Sequence, residues 1–511
     1  MTSIGHELTS VQNLGSRTIR GTFWLVLGKG YQQTLLLLKA IILGRLLGPE
    51  EFGLVGIALL TVQFLATFTH TGFASALIQQ PDLDDRDIST AWWVLLGRGT
   101  FIALVLFLLS PWIAALFKEP KAIPVLRAFG GIQFLLAFAS IGLVLLSKSL
   151  EFNKLFKYEA WSSTVELVVA VIIALWYRNV WALVGGILAG TLVRVVLSYV
   201  IYPYFPRFTF DMRSAINLFK FGQWLLFGAI MFYIFSRAAD AMSGIMFGVA
   251  ALGIYQMASR FALLPTSQIG ELSFNAIFPA YSLIQNDAEK LQQTFLKVLQ
   301  ISSLVIFPLT ALMIVVVGPI LPLVLGAKWA EVVNLVPGVA LGGMIQAMVR
   351  TGAPLFMAQG KPRLLFAVDL VSALGVLICI YPFSKYFGLA GLAWGYAAGL
   401  TLGVPLWWRL VQSQSGLSAR EIMVAIFPTL LASALLATII EIPVKMFLSD
   451  HILWFFLSGL AILSIIGVIL FLILIILMER FVPGYKPINS TLALIKNYLN
   501  TSKGPVTEAF C

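Results

Sequence analysis

The chain has 511 residues, of which 59% are hydrophobic and only 11% charged, with a mean hydropathy of +0.93. Soluble domains carry roughly a quarter charged residues, so a soluble protein is excluded. The net charge of +11 reads as Lys and Arg in cytoplasmic loops rather than as a nucleic-acid surface.

Residues 1–21 are polar, lack the apolar core of a cleaved signal peptide, and read as a cytoplasmic N-terminal segment. Apolar stretches of about 20 residues then follow one another, each long enough to cross a hydrocarbon core of ~30 Å. They lack the ~10-residue alternation of an outer-membrane barrel. The fold class is therefore all-α integral membrane, with about 14 transmembrane helices. Six spans begin near Thr22, Phe52, Ile88, Ala122, Leu155 and Val180 and form a first lobe, residues 22–204. Six more begin near Ile216, Ala250, Lys290, Val332, Pro362 and Gly388 and form a second, residues 214–412. Two last spans begin near Ile422 and Ile452 (residues 422–479), and a polar cytoplasmic tail covers residues 480–511. Pro49, Pro81, Pro111, Pro203, Pro206 and Pro483 fall at or near span ends, whereas Pro308 and Pro337 predict kinks.

With the N-terminus inside, the cytoplasmic loops and tails hold nearly three times as many Lys and Arg as the opposite side, which has only Arg45, Lys118, Lys121, Arg178, Lys328, Lys385 and Lys445. Both termini are thus expected in the cytoplasm. Asp82, Asp84, Asp85 and Asp87 make one inner loop acidic, a feature that weighs little in orientation. Two separated cysteines, Cys379 and Cys511, rule against a disulfide framework, and scattered His6, His70 and His451 against a metal site.

One stretch is written twice. Shifted by two hundred positions, Trp24, Leu25 and Gly28 meet Trp224, Leu225 and Gly228, and Gly44, Gly48 and Gly53 meet Gly244, Gly248 and Gly253. A later segment repeats at a shift of 209: Tyr177, Gly186, Ala189 and Gly190 meet Tyr386, Gly395, Ala398 and Gly399. An even number of spans per half makes the repeat parallel, with its axis along the membrane normal. The charges are not copied. Lys29 and Lys39 face Ala229 and Ala239, while Arg237 and Asp240 face Leu37 and Ala40.

Lys29, Lys39, Arg98, Arg127, Arg194, Arg237, Arg260 and Arg350 all fall within spans. A Lys or Arg at mid-bilayer costs ~2.5–3.5 kcal/mol even on a lenient scale, so such groups face one another, an acid or water, or else snorkel from a helix end. Snorkelling suits Arg127, and it suits Lys39 and Arg350 if the spans end close to them. Lys29, Gln32, Gln33 and Lys39 share one arc of the first span, and Gln63, Thr67 and His70 one side of the second. Glu159, Ser163 and Glu166 share a side of the fifth, and Arg237 and Asp240 can pair on the seventh, as a fixed salt bridge or as a latch.

The candidate substrate-binding set is Lys29, Gln33, His70, Arg98, Arg194, Arg237, Arg260 and Arg350. An excess of positive charge suits an anionic ligand, and an arginine fork suits a diphosphate. Glu166, Asp240, Glu271 and Asp369 either carry H+ or Na+ coupled to transport or neutralise nearby arginines. No other cofactor is implied. Both Walker A spacings fail, at Phe23 and at Leu355, which argues against ATP hydrolysis.

Short motifs accompany these features: Gly48-Pro49-Glu50-Glu51-Phe52-Gly53, the run Gly72 to Gln79, Leu150-Glu151-Phe152-Asn153-Lys154, Phe278-Pro279-Ala280 and Leu325-Gly326-Ala327-Lys328-Trp329. In this order and spacing, over nearly the whole chain up to the twelfth span, they resemble the polysaccharide-transporter family of lipid-linked oligosaccharide flippases, especially its colanic-acid-exporter-like branch. The resemblance implies a MATE-like fold of two six-helix lobes facing a cavity, plus two C-terminal helices. It implies passage of an undecaprenyl-diphosphate-linked oligosaccharide from the cytoplasmic to the periplasmic leaflet of a bacterial inner membrane. The implied partners are that glycan, membrane lipid and the polysaccharide polymerase or export machinery, and not nucleic acid. Members often carry Arg and Asp where Arg237 and Asp240 stand and a basic residue at Arg194. They also often have an Arg one turn before Arg350, where this chain has Gln346.

Two rival readings remain. A multidrug/cation antiporter of the same superfamily would want an acidic cavity. A membrane-embedded polymerase would want a large loop bearing acidic catalytic residues. Gly44, Gly48, Gly244 and Gly248 sit near outer helix ends, for static packing or for closure.

Overall fold

The computed structural model describes residues 2–69, 84–149, 151–204, 212–264, 266, 277–447 and 471–480. Among them there is no β-strand. Among the described residues nine helices are long and apolar enough to cross a membrane, ten if one bent pair counts as a span. One of the nine, Pro362–Ser415, covers 54 residues and holds two expected spans. Gly388 divides it with φ 61° and ψ −144°, a backbone conformation that glycine alone adopts readily. Most of the expected last span lies outside the described residues.

The chain forms two compact units, Met1–Tyr233 with Asp240–Ile254, and Ile234–Ala239 with Tyr255–Cys511. The first contains α1 (Thr2–Leu46), α2 (Pro49–Phe68), α3 (Asp85–Leu116), α4 (Ala122–Ala137), α5 (Gly142–Lys148), α6 (Phe152–Tyr177) and α7 (Trp181–Ile201). Helices α8 (Met212–Phe247) and α9 (Val249–Ala262) contribute to both units. The second unit holds α10 (Ala288–Leu312), α11 (Gly318–Leu325), α12 (Val332–Arg350), α13 (Ala353–Ala358), α14 (Pro362–Thr401), α15 (Val404–Ser415) and α16 (Ala419–Phe447). The first helix thus begins twenty residues before the expected span start at Thr22.

The later repeat is visible as packing. In the first unit α6 and α7 form an antiparallel hairpin. A Cβ on Gly186 would stand 2.6 Å from Ala170 Cβ, and one on Gly190 2.8 Å from Glu166 Cβ. In the second unit the two halves of α14 do the same. A Cβ on Gly395 would lie 2.9 Å from Ile380 Cα, and one on Gly399 2.7 Å from the Gly375 carbonyl carbon. Gly375 stands 209 positions after Glu166, so the shift that aligns the sequences also aligns the contacts. Where one hairpin carries a carboxylate, the other carries no side chain.

Three elements depart from the simple span reading. Pro111 lies inside α3, which runs on to Leu116. Residues Met313–Val317 form a π-helical turn, just before Pro319, whose missing N–H and bulky ring prevent regular α-helical bonding there. The expected fourth span bends by 62° between α4 and α5. Irregular backbone is tolerated at membrane depth only where its polar groups find partners, and here they do. Ser198 Oγ accepts from Ser140 N–H at 2.9 Å, and the Trp92 indole donates to the Ala139 carbonyl at 3.2 Å.

Large apolar side chains face outward along α3, α6 and α14, among them Phe101, Leu108, Ile172, Leu377 and Ile378. Trp112, Trp176 and Tyr177 of the first unit are exposed near the ends of α3 and α6. Exposed aromatic side chains at helix ends are typical of membrane–water boundaries. The protein is a multi-pass membrane protein.

Candidate functional site

Helices α1, α6 and α7 of the first unit carry four charges into one another. Lys39 Nζ donates to Glu166 Oε1 at 2.5 Å, with the two side chains only 16% and 18% exposed. Arg194 Nη2 stands 3.7 Å from Glu159 Oε2 and 3.9 Å from Glu166 Oε2. One turn and more away, Tyr31 and Thr164 share a hydroxyl–hydroxyl hydrogen bond of 2.8 Å across the α1–α6 seam. The local reason is helical register. Glu159 and Glu166, seven apart, repeat on one face of α6, and the small Gly190 lets α7 press onto the Glu166 stem. That approach brings Arg194, one turn further along α7, level with both acids.

The cluster has two cations and two anions. Charges so placed are costly in hydrocarbon unless paired, and here each has an opposite partner. The arrangement can exchange partners. The longer Arg194 contacts are ion pairs beyond hydrogen-bonding range, and a ligand with two phosphates offers the same bidentate acceptors as the two carboxylates.

Other candidates fall elsewhere. Lys29 lines a pocket of ≈ 560 Å³ between α1, α5 and α6, and Gln33 is half-buried on α1. Arg98 donates from Nη2 to the Ala66 carbonyl at 2.7 Å and from Nε to Thr69 Oγ1 at 3.1 Å. It thereby satisfies the C-terminal end of α2, where a cation also meets the negative pole of the helix. Arg127 is exposed near the start of α4 and also has protein partners. Pro111 leaves the Phe107 carbonyl without its helical donor, Ser110 Oγ donates to that carbonyl at 2.9 Å, and Arg127 Nε donates to Ser110 Oγ at 3.2 Å. The Arg127 guanidinium also lies 5.0 Å from the Phe107 ring centre.

In the second unit Arg350 Nη2 stands 3.4 Å from Asp369 Oδ1, beside a small cavity also lined by Gln346 and Ser372. Arg237 and Asp240 lie three residues apart on α8, with Asp240 buried, and Arg260 is half-buried on α9. His70 and Glu271 lie outside the described residues. The structure thus gathers Arg194 and Glu166 with Lys39 and Glu159, which were not in the candidate set. The signal for both was helical spacing: Lys39 on the polar arc of the first span, Glu159 on the face of Glu166.

Residues 42–334 match the family model described as polysaccharide biosynthesis protein. The chain belongs to the polysaccharide biosynthesis protein family. Within and around this family, the lipopolysaccharide biosynthesis protein WzxC of Escherichia coli (strain K12) is 23% identical over 443 residues, covering 84% of this chain and 89% of the relative. The succinoglycan biosynthesis transport protein ExoT of Rhizobium meliloti (strain 1021) is 27% identical over 354 residues, covering 69% and 72%. Among solved structures, lipid II flippase MurJ in an inward closed conformation superposes with a TM-score of 0.68 at 15% identity, over 89% of this chain and 99% of that one. An inward-facing MATE-family multidrug resistance transporter of the MOP superfamily gives 0.62 at 16% identity, over 76% and 96%. This family member therefore has the MATE-like fold expected of it, and the same fold is seen in MurJ.

Proposed function

We propose that the protein is a secondary transporter that moves an undecaprenyl-diphosphate-linked oligosaccharide from the cytoplasmic to the periplasmic leaflet of the bacterial inner membrane, with both termini in the cytoplasm. The relatives named for lipopolysaccharide and succinoglycan biosynthesis and the lipid II flippase fold support a lipid-linked glycan as cargo. The observation that carries the reading is the paired cluster Lys39–Glu166–Arg194–Glu159 within membrane-crossing helices. The diphosphate takes over Arg194 from the carboxylates, and Glu166 retakes it when the glycan leaves. Residues 22–204 and 214–412 act as two lobes that alternate access to a common path, with residues 422–479 appended. Lys29, Gln33, Arg98, Arg237, Arg260 and Arg350, with His70, contribute to the substrate path. Asp240, Glu271 and Asp369 balance its charge or carry a coupling H+ or Na+. Polymerase and export proteins receive the product.

The test is single replacement of Arg194, Arg237 and Lys29 by Gln or Ala, with surface polysaccharide measured at equal protein levels. The proposal expects export to fall in at least one of them, with Arg194→Gln the most affected. Undiminished export in all three ends the diphosphate-site reading.

A further inference from the structure

The pocket between α1, α5 and α6 is built differently from the ion-pair cluster next to it. Its ≈ 560 Å³ lies within the roughly 300–1,000 Å³ typical of small-molecule sites. From α1 come Trp24, Lys29 and Gln32, from α5 Ser147, and from α6 Phe156 and Glu159. The rings of Trp24 and Phe156 lie 5.2 Å apart, tilted by 41°, so they make an angled wall rather than a closed stack. Gly28 lies against that wall, where a Cβ would make an ordinary contact with the Phe156 ring at 3.4 Å. The same lining holds an ammonium, an amide, a hydroxyl and a carboxylate.

Aromatic faces beside several separate donors and acceptors match a sugar ring. The C–H face of a pyranose packs flat on an aromatic face, while its hydroxyls each donate and accept hydrogen bonds around the rim. An acyl chain offers no hydrogen bonds to the polar part of this lining, and a bare phosphate offers nothing to the rings. Glu159 belongs both to this pocket and to the Arg194 ion pair at 3.7 Å. A group bound in the pocket therefore adjoins the proposed diphosphate position.

We propose that this pocket is the subsite for the sugar attached directly to the diphosphate, and that Trp24 and Gln32 set the preference for that sugar. The proposal rests on the transport reading above and adds to it a place where the glycan itself is read.

The experiment uses the full-length protein in lipid nanodiscs, with calorimetric titration of farnesyl diphosphate and of farnesyl diphosphate bearing glucose, galactose or N-acetylglucosamine. At least one sugar should tighten binding about tenfold over farnesyl diphosphate, the worth of one good aromatic contact with its hydrogen bonds. Trp24→Ala and Gln32→Ala should each bring that ratio close to one, and Trp24→Phe, which keeps an aromatic face, should preserve it. No sugar increment in the native protein, or an increment that survives Trp24→Ala, overturns the proposal. A change in farnesyl diphosphate affinity with the ratio intact assigns the pocket to the prenyl chain and overturns it equally. If the ratio fails to respond while Arg194→Gln still loses export, the sugar subsite falls and the transport reading stands. If neither probe binds and deleting the gene leaves export intact, both fall.

Discussion

Gly53 of α2 and Gly253 of α9 meet backbone to backbone within the first unit. A Cβ on Gly253 would lie 3.0 Å from the Gly53 nitrogen and would collide with the Pro49 carbonyl, and a Cβ on Gly53 would collide with the Val249 carbonyl. Pro49 and Val249 are themselves two hundred positions apart, so the contact is its own image under the repeat. The nearest partner in each clash is a backbone carbonyl, which cannot swing aside. Gly53→Ala or Gly253→Ala should therefore destabilise the protein by about 3 kcal/mol, at the upper end for overpacking. Gly30→Ala, where nothing lies within 4 Å, should be neutral or slightly stabilising. Thermal unfolding in detergent, followed by the fluorescence of a buried-thiol or tryptophan probe, distinguishes these outcomes.

The Lys39–Glu166 pair makes a second prediction. Removing one partner leaves the other charge without its closest counter-ion among membrane helices. Lys39→Met alone should cost about 3 kcal/mol. Adding Glu166→Leu to it should recover most of that loss, because an apolar pair of similar volume replaces the ion pair. Equal losses in the single and double variants would contradict the coupling. If Glu166 retakes Arg194 as proposed, transport should stay impaired in the double variant even where stability returns.

Arg127 and Pro111 give a third. Arg127→Ala removes the donor that supports Ser110 and should cost about 1–2 kcal/mol. Pro111→Ala restores an N–H for the Phe107 carbonyl, and in that background the same substitution should cost less than about 0.5 kcal/mol. A full-sized loss in both backgrounds would show that Arg127 acts through something other than the proline break.

These cases show what the sequence made legible. Hydropathy and the glycine repeats located the helices, and the shifts of 200 and 209 survive as contacts at Gly53, Gly253, Gly190 and Gly399. Glycine positions record close backbone approach, which is a property of the helix that carries them. Charge partners are different. Arg98 is satisfied by α2, about thirty residues earlier in the chain, and Lys39 finds Glu166 after 127 residues. Periodicity places a charge on a face and is silent about which helix that face meets. Arg127 is likewise near a helix end, and its hydrogen bond to Ser110 beside Pro111 on a neighbouring helix is not written in its own periodicity. The 62° bend after Ala137 was hidden too, because its apolar residues read as one continuous span while Ser198 and Trp92, which support the break, lie far away in sequence.

Exposed aromatic ends allow a fourth prediction. Trp112 and Trp176, 78% and 83% exposed, sit near the C-terminal ends of α3 and α6. Replacing either with Ala should leave the detergent-solubilised fold within about 0.5 kcal/mol of native, as for surface sites. Their fluorescence should respond to brominated lipids labelled near the headgroup and not to those labelled at the chain terminus.

The central claim is that a lipid-linked glycan crosses the membrane on this protein, and the most direct measurement is the sidedness of that glycan in spheroplasts. In cells lacking the protein, the undecaprenyl-diphosphate-linked glycan should accumulate and remain closed to a membrane-impermeant lectin. The native protein should restore lectin access, and Arg194→Gln at equal abundance should not. Native levels of lectin-accessible glycan in cells lacking the protein would contradict the account.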